Sequence, residues 1–544
     1  MRRLILSAVL AIGLTGALAP VAATAADMAV PAPMAMPEET AYVIAVVPDL
    51  LATLGRIEAI AGQFAPGQMP PGSLKGQLGA MLGDPGLANF TGKPVIVVVG
   101  PGAPTPSFAL LVPATDPQKY LDAGVNFGML LGKAVDGIAV LTQTPDGEIL
   151  GEKVAKTYAN LIKTLPKGDI RLLVAPDKLM QTYGGMLGMM AQMAAAQNPN
   201  GAGVAKILGL EVAGLMAIAA DISAVQIDLN LDPVAIGEEL TISAKPGSEL
   251  AKALVAPPAA VGQRAAARLS NEPSLMAMSG RVNHEAYAKY AGNLLRMLKA
   301  KPEGQALITD EVIAVVEGYG AGLTGDTAMR MRTTEAQPLL WEGLSSTSDS
   351  AKAEANFEKL TTLFTGKGAI ADLYREMGIT MSLDKGVRTS PSGVPVHAMK
   401  VTIDETKVTP EQAAQMKAMS GYELAVTKGW VVMAQDPASL DALIAGTGKG
   451  MTTHAEKTLG AGRNLYADID LIGLVRAAMK MSGTGMDAMI PATKPGEPMS
   501  IASTTADGRT LIEIKWPLAP FVELMKAAQG GGAPQPKPED NPAF

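Results

Sequence analysis

The sequence contains no cysteine, three histidines, and aromatic residues at only 4% of its 544 positions. Without cysteine the chain has neither a disulfide framework nor a lipoprotein attachment site. With so few aromatic rings, the core must be built from Ala, Leu, Val and Met, and Met is abundant at 31 residues. Because Met is unbranched and flexible, we expect soft and adaptable packing.

The chain also lacks a basic cluster and a second long apolar run. Its formal net charge is −7, which becomes −9 when Arg2 and Arg3 leave with the N-terminal segment described next. Nucleic-acid binding is disfavoured, because it requires a concentrated Lys/Arg face. The most apolar later stretch is residues 212–220, whereas a membrane span needs about 20 residues. We therefore predict no transmembrane segment in the mature chain.

The first 26 residues have the pattern of a secretion signal. Arg2 and Arg3 form a positive start, residues 4–18 are apolar, and residues 23–26 are small, as a cleavage site requires. The arginine pair lacks the flanking residues that a twin-arginine signal prefers. We expect export by the general secretion route to the periplasm or the extracellular space.

The rest of the chain reads as two similar halves. A strand followed at once by a capped helix occurs four times, at 41–57, 170–186, 274–290 and 464–479. A short polar residue stands at each join, where it is expected to cap the helix N-terminus. These four residues are Asp49, Asp177, Asn283 and Asp470.

A second pattern places Asp-Pro or Ser-Asp between a strand and a helix, at 107–124, 339–360 and 429–446. Each half then closes with a strand pair and a helix, at 224–255 and 499–528. Asp507-Gly508 predicts a tight hairpin turn in the second of these.

These patterns predict an α+β protein with two tandem similar domains, mainly antiparallel sheets, and helices packed on one face. The Pro/Gly-rich breaks and the segment order set the expected boundaries. They are a signal peptide (1–26), a flexible linker (27–40), a first domain (41–262), a second domain (270–528) with an inserted hairpin near 379–403, and a flexible Pro/Gly-rich tail (529–544).

This plan resembles an uncharacterised family of secreted bacterial envelope proteins with tandem α+β repeats. The segments that carry the resemblance are VVPDLLATL, AKPGSELAKALV and GWVVMAQDPASLDALI. The resemblance implies an exported α+β tandem. It supplies no functional residues, because the family itself has no assigned function.

Four methionines share one predicted helical face, since Met186, Met189, Met190 and Met193 are spaced i, i+3, i+4, i+7. The Met-rich composition favours a stripe buried in the core. A second interpretation is a pliable exposed face for a lipid or a partner helix, and a third is a soft-metal site, for example for Cu(I). These residues are our candidate face for an apolar ligand or partner.

No histidine pattern points to a metal site. His284, His397 and His454 are far apart in the sequence and lack any ligand spacing. We expect all three to be surface or half-buried residues, and we predict no metal ligand.

Two short motifs match enzyme signatures in residue identity but not in their predicted secondary structure. Residues 320–325 fit the glycine pattern of dinucleotide sites, but they lie between a helix and a strand, the reverse of the order that phosphate binding needs. Ser382 and Lys385 fit Ser-x-x-Lys, but Gly386 follows and the segment reads as a hairpin instead of a helix. We predict no catalytic residue and no cofactor.

The leading hypothesis is an exported, non-catalytic envelope protein that acts as a binding or scaffold module. One alternative is a periplasmic carrier of a hydrophobic ligand held between helices and sheet. Another is an enzyme of unrecognised type that uses carboxylates from both halves, such as Asp177 and Asp470. The partner is expected to be an envelope protein or a hydrophobic ligand.

Overall fold

A computed structural model describes residues 40–102, 105–124, 128–129, 131–164, 168–196, 201–258, 264–305, 307–334, 339–376, 378–407, 421–482 and 497–530, with the single residues 30, 36, 337 and 413. The predicted signal peptide, most of the predicted linker, and the tail from residue 531 onward lie outside these residues. In the described part of the chain, no helix is both long and apolar enough to cross a bilayer.

The protein mixes helices and strands, as the sequence predicted. The strands up to residue 244 are β1 Val43–Val47, β2 Val95–Gly100, β3 Ser107–Pro113, β4 Leu131–Val135, β5 Ile138–Thr142, β6 Ile170–Val174, β7 Ile222–Leu231 and β8 Ala235–Ala244. The later strands are β9 Met276–Arg281, β10 Leu323–Arg332, β11 Leu340–Thr347, β12 Ile379–Thr389, β13 Pro395–Ile403, β14 Tyr422–Thr427, β15 Trp430–Ala434, β16 Leu465–Ile469, β17 Met499–Ala506 and β18 Arg509–Pro517.

Helices occupy most connections between these strands. Those of the N-terminal part are α1 Leu50–Phe64, α2 Ser73–Met81, α3 Pro117–Ala123, α4 Pro145–Leu161, α5 Pro176–Ala196, α6 Gly201–Asp221 and α7 Glu249–Ala253. Those of the C-terminal part are α8 His284–Lys299, α9 Pro302–Gln305, α10 Asp310–Tyr319, α11 Ser350–Thr365, α12 Ala369–Glu376, α13 Pro437–Ala445, α14 His454–Thr458, α15 Leu471–Ser482 and α16 Ala519–Gly530.

All strands belong to one large antiparallel sheet. In the N-terminal part the order is β4-β5-β3-β2-β1-β6-β7-β8. In the C-terminal part it is β14-β15-β11-β10-β9-β16-β17-β18, and β13 and β12 follow beyond β14 as a hairpin. Pairing of β8 with β18 joins the two parts. The sheet is therefore continuous from β4 to β12.

Three of the four predicted helix caps are present. Asp49, Asn283 and Asp470 each accept the backbone N–H three residues later, at 2.9, 3.1 and 2.8 Å. The prediction is wrong for Asp177, because α5 begins one residue earlier, at Pro176. Proline is pre-shaped for the first helical position, so Asp177 falls inside the first turn. Its Oδ1 still accepts the backbone N–H of Lys178 in that turn at 2.8 Å, and its Oδ2 pairs with Lys245 Nζ at 2.9 Å.

Aliphatic side chains form the core. Ile44, Leu111 and Val154 belong to one buried cluster in the N-terminal part, and Leu344 and Leu440 to another in the C-terminal part. The expectation of a core built from Ala, Leu, Val and Met is confirmed for Ala, Leu and Val, but it is wrong for Met in the described residues. Methionine is mostly outside the core, since only four methionines among the described residues are buried, namely Met129, Met399, Met451 and Met499.

The β8–β18 junction carries a row of charged residues on one face of the sheet. Glu239 on β8 lies directly opposite Glu513 on β18 and, on its other side, opposite Asp228 on β7. Asp228 is paired with Arg171, with Nη2 to Oδ2 at 2.8 Å, and Glu513 is paired with Arg463, with Nη2 to Oε1 at 2.9 Å. Glu239 therefore lies between two carboxylates. Desolvation, together with Glu513 and Asp228, raises the pKa of Glu239 above its ordinary value.

Glu239 is exposed, and Arg171 and Arg463 partly offset the neighbouring carboxylates. Replacing Glu239 with Gln is therefore expected to stabilise the protein at neutral pH by only about 0.2–0.5 kcal/mol, because like charges directly opposite each other destabilise a sheet but are screened by solvent. A carboxyl whose pKa is raised by folding lowers the free energy of unfolding as the pH rises from the ordinary pKa to the raised one, and the full loss is present above the raised pKa. The gain of Glu239→Gln over wild type should therefore be largest at pH 7 and vanish below the ordinary value of 4.5. Urea denaturation across this pH range measures it.

Glu238→Gln is the matched control for this substitution. Glu238 points to the other face of β8, where its cross-strand neighbours are Leu229 and Ile514. An equal pH-dependent gain for both variants would contradict a specific repulsion at the β8–β18 junction.

Candidate functional site

The candidate methionines lie on α5, which packs against α6. The first turns of α5 are held to the sheet, because Tyr42, immediately before β1, hydrogen-bonds Thr182 Oγ1 at 2.8 Å and Asp177 pairs with Lys245. Gly184 faces α6, where a Cβ at this position would lie 3.1 Å from Met216 Sδ. The close contact orients α5 about its own axis.

Helix α6 is covered on a different side from the one that contacts α5. Leu210, Ala213 and Ala217 pack against a buried cluster that includes Leu294 on α8 and Ile313 on α10. Helix α6 thus lies between α5 and the helices of the C-terminal part. This arrangement leaves the far side of α5 open.

The four methionines occupy that open side, and we call Met186, Met189, Met190 and Met193 the Met face. At 100° per residue they span one side of α5, and Gly184 lies on the opposite side. Their exposed fractions are 49%, 61%, 59% and 66%. The interpretation as a core stripe is therefore wrong. Helical periodicity shows that the side chains share a face, but the position of α6 decides that this face meets solvent.

The surroundings of the Met face carry little charge and little bulk. Between residues 179 and 218 the sequence contains only Lys206 and Glu211 as charged residues. Gly185 and Gly188 also lie on α5, and a Cβ at either position would have no atom within 4 Å. At 100° per residue Gly188 falls on the Gly184 side of α5, whereas the exposed Gly185 borders the Met face beside Met189. A partner on the Met face could therefore approach the backbone of α5 closely at Gly185.

The three histidines are not close enough to form a ligand set. His397 Nδ1 accepts the Gly386 N–H at 3.2 Å in the β12–β13 hairpin. His284 is half-buried at the start of α8, and burial lowers its pKa to about 4. Among the described residues, no group of three His, Cys, Asp or Glu side chains could hold a metal ion.

One polar cluster was missed by the sequence analysis. His454 Nδ1 lies 3.1 Å from Ser500 Oγ, which in turn lies 3.3 Å from Asp468 Oδ1. Serine hydrolases need histidine between the nucleophile and the carboxylate, whereas here serine is in the middle and only 1% exposed. Asp468 accepts the N–H groups of His454 and Ala455, so the cluster caps α14. No sequence signal could have joined residues 46 positions apart.

The carboxylates proposed for the enzyme hypothesis do not meet. Asp177 follows β6 and Asp470 follows β16, and five strand pairings separate these strands. At roughly 4.8 Å per pairing the two strands are about 24 Å apart. An odd number of antiparallel pairings also makes the strands run in opposite directions. Asp177 and Asp470 each follow the C-terminal end of a strand, so they lie at opposite ends of the antiparallel strands.

The two enzyme-like motifs lie in the secondary-structure contexts that the sequence predicted. Residues 320–322 connect α10 to β10, so no helix N-terminus follows the glycines. Ser382 and Lys385 lie within β12, where successive side chains alternate between faces. Lysine therefore cannot reach the serine as it would one helical turn later.

Two clefts in the described part of the chain are lined by charged side chains. The larger, about 600 Å³, lies between α7, α8 and α10, with Glu249, Glu285 and Glu317 on its walls. The smaller, about 270 Å³, lies near α13. Its walls include Arg268 and three ion pairs, namely Arg330–Glu272, Arg330–Glu342 and Arg332–Asp436. Most residues lining both clefts are charged or polar, unlike the aliphatic and aromatic residues that predominate in hydrophobic-ligand pockets.

Comparison with protein families, curated proteins and solved structures gives no match to this chain. The function must therefore be argued from the residues. The Met face is the most unusual surface that the described residues present, because its four large apolar side chains are exposed together on a helix that is firmly anchored.

Proposed function

We propose that this chain is an exported, non-catalytic binding protein of the bacterial envelope, and that the Met face docks an apolar helix of another envelope protein. The exposure of Met186, Met189, Met190 and Met193 carries the proposal. Their exposed area is on the order of 450 Å², within the range of about 300–600 Å² for the largest apolar patch of a monomer, which is often functional. Export is supported by the signal-like pattern of residues 1–26.

We further propose that the chain comprises two tandem similar domains with helices on one face of each sheet. Eight strands of each part follow the same order, from β4 to β8 and from β14 to β18. In this arrangement the Met face belongs to the N-terminal domain, in the excursion between β6 and β7. The corresponding connection of the C-terminal domain is the one between β16 and β17.

Charge argues for a protein helix instead of a bilayer surface as the occupant. Interfacial helices that bind anionic lipids are rich in Lys and Arg beside their apolar face. Lys206 is the only basic residue between positions 179 and 218. The open backbone at Gly185, on the border of the Met face, suits close helix-to-helix contact, and pliable methionine adapts to the partner's side chains.

Site-specific photo-crosslinking in the native envelope tests this function. A photoreactive residue at position 189 is expected to capture a distinct protein, which is then purified. Val234 is 70% exposed and lies in the turn between β7 and β8, so a photoreactive residue there is the control. A lipid, a second copy of this chain, or the same products at both positions would each overturn the proposal.

Met189→Glu with Met193→Glu is expected to raise the Kd for the captured protein at least about 100-fold, because docking would bury two carboxylates without partners. The double variant should fold normally, since exposed substitutions usually change stability by less than about 0.5 kcal/mol. Met297→Glu, at a residue 42% exposed on α8, is the control and should bind like wild type. Isothermal titration measures both.

A further inference from the structure

The Met face has a chemical property that an equally apolar leucine face would lack. Thioether sulfur is oxidised by peroxides to a sulfoxide, which is polar and can be reduced enzymatically. Oxidation depends on access to sulfur, and the four side chains are 49–66% exposed, whereas Met129, Met399, Met451 and Met499 are at most 9% exposed. The chain contains no cysteine thiol to compete for the oxidant.

We infer that the Met face is a reversible oxidation site, at which sulfoxide formation on Met186, Met189, Met190 and Met193 releases the docked partner. This inference rests on the proposed docking function. In each step the thioether sulfur attacks a hydroperoxide, the O–O bond breaks, one oxygen forms the S–O bond, and water or an alcohol leaves. A dithiol-dependent sulfoxide reductase reverses the step: the dithiol becomes a disulfide and the oxygen leaves as water.

The placement of the four residues makes oxidation effective as a switch. They share one side of α5, so each sulfoxide adds a strong dipole to the same surface. The backbone N–H groups of the helix are already used within it, and no charged side chain other than Lys206 and Glu211 lies in 179–218. A sulfoxide buried against an apolar partner would therefore lose its hydrogen bonds with water and find few donors.

The first test needs no partner. The mature protein is treated with hydrogen peroxide, and sulfoxide formation is followed by peptide mass mapping. The four Met-face residues are expected to oxidise at least about 10-fold faster than the four buried methionines. Retention of the folded protein on a phenyl resin should fall after oxidation and return after treatment with methionine sulfoxide reductases and dithiothreitol.

Matched variants distinguish an effect of sulfur oxidation from an effect of the apolar surface itself. The variant M186L/M189L/M190L/M193L keeps the face apolar, so peroxide should change its retention on phenyl resin much less than that of wild type, through the remaining exposed methionines alone. The variant M81L/M297L/M525L removes three other methionines with exposures of 42–44%, and it should respond like wild type. A response in the quadruple leucine variant as large as in wild type, or none in wild type, would overturn the inference.

Binding of the crosslinked protein keeps the two proposals distinguishable. If reduced wild type fails to bind it, the docking function fails, whatever the oxidation pattern. If reduced wild type binds and the fully oxidised protein binds equally well, docking stands and the oxidation switch is refuted. The expected result is at least a 10-fold rise in Kd on oxidation for wild type, and none for the quadruple leucine variant.

Discussion

Replacement of Arg330 by alanine is expected to lower the free energy of unfolding by about 3–5 kcal/mol, the usual cost of removing one partner from a buried ion pair. Arg330 on β10 is 2% exposed and lies directly opposite Glu342 on β11. Its Nε donates to Glu342 Oε1 at 2.7 Å, and Nη2 pairs with the same oxygen. Nη1 donates to the Ser270 carbonyl oxygen at 3.1 Å. The alanine variant would leave the Glu342 carboxylate buried without its cation.

Urea denaturation followed by tryptophan fluorescence measures the effect. The three tryptophans are Trp341, Trp430 and Trp516, so the signal reports the C-terminal part of the chain. Trp341 is next to Glu342 in sequence, and Trp430 belongs to the core cluster that includes Leu344.

Two further variants define what a positive result means. Arg330→Met with Glu342→Leu replaces both charges by apolar groups, and its stability should return close to wild type, because buried ion pairs gain little over apolar packing. Arg375→Ala breaks an exposed pair with Asp372 on α12 and should cost less than about 0.5 kcal/mol. A cost below about 1 kcal/mol for Arg330→Ala would show that Glu342 finds water or another cation.

The same substitution, glycine to alanine, is expected to have opposite effects at two helical positions. Gly147→Ala on α4 should destabilise the protein by about 3 kcal/mol, at the upper end for overpacking. A Cβ at Gly147 would overlap Thr142 Oγ1 and lie 2.6 Å from the Phe108 carbonyl oxygen. Thr142 Oγ1 cannot move aside, because it hydrogen-bonds that same carbonyl at 2.7 Å.

Gly55→Ala on α1 should instead stabilise by about 0.5–1 kcal/mol, the difference in helix propensity between the two residues. Gly55 is exposed, and a Cβ there would have no atom within 4 Å. Thermal denaturation of the two variants beside wild type measures both shifts. Equal signs would contradict the close contact between α4 and strands β3 and β5.

These glycines show the limit of sequence reasoning. Both lie in segments that form helices, and helix propensity treats them alike. The difference comes from α4 lying directly on β3 and β5 at Gly147, whereas Gly55 faces solvent. Packing distances between elements far apart in the chain decide the sign.

The sequence by itself determined the local structure. Capping at Asp49 and Asp470, the Asp-Pro helix starts and the Asp507-Gly508 turn, with φ of 50° and 74°, each depend on residues within about four positions. Only the tertiary structure decided which strands pair across the junction, that Asp177 and Asp470 lie apart, that Ser500 meets His454, and that the Met face is exposed. The reason is physical: periodicity fixes which residues share a side of an element, but long-range packing selects which side is covered.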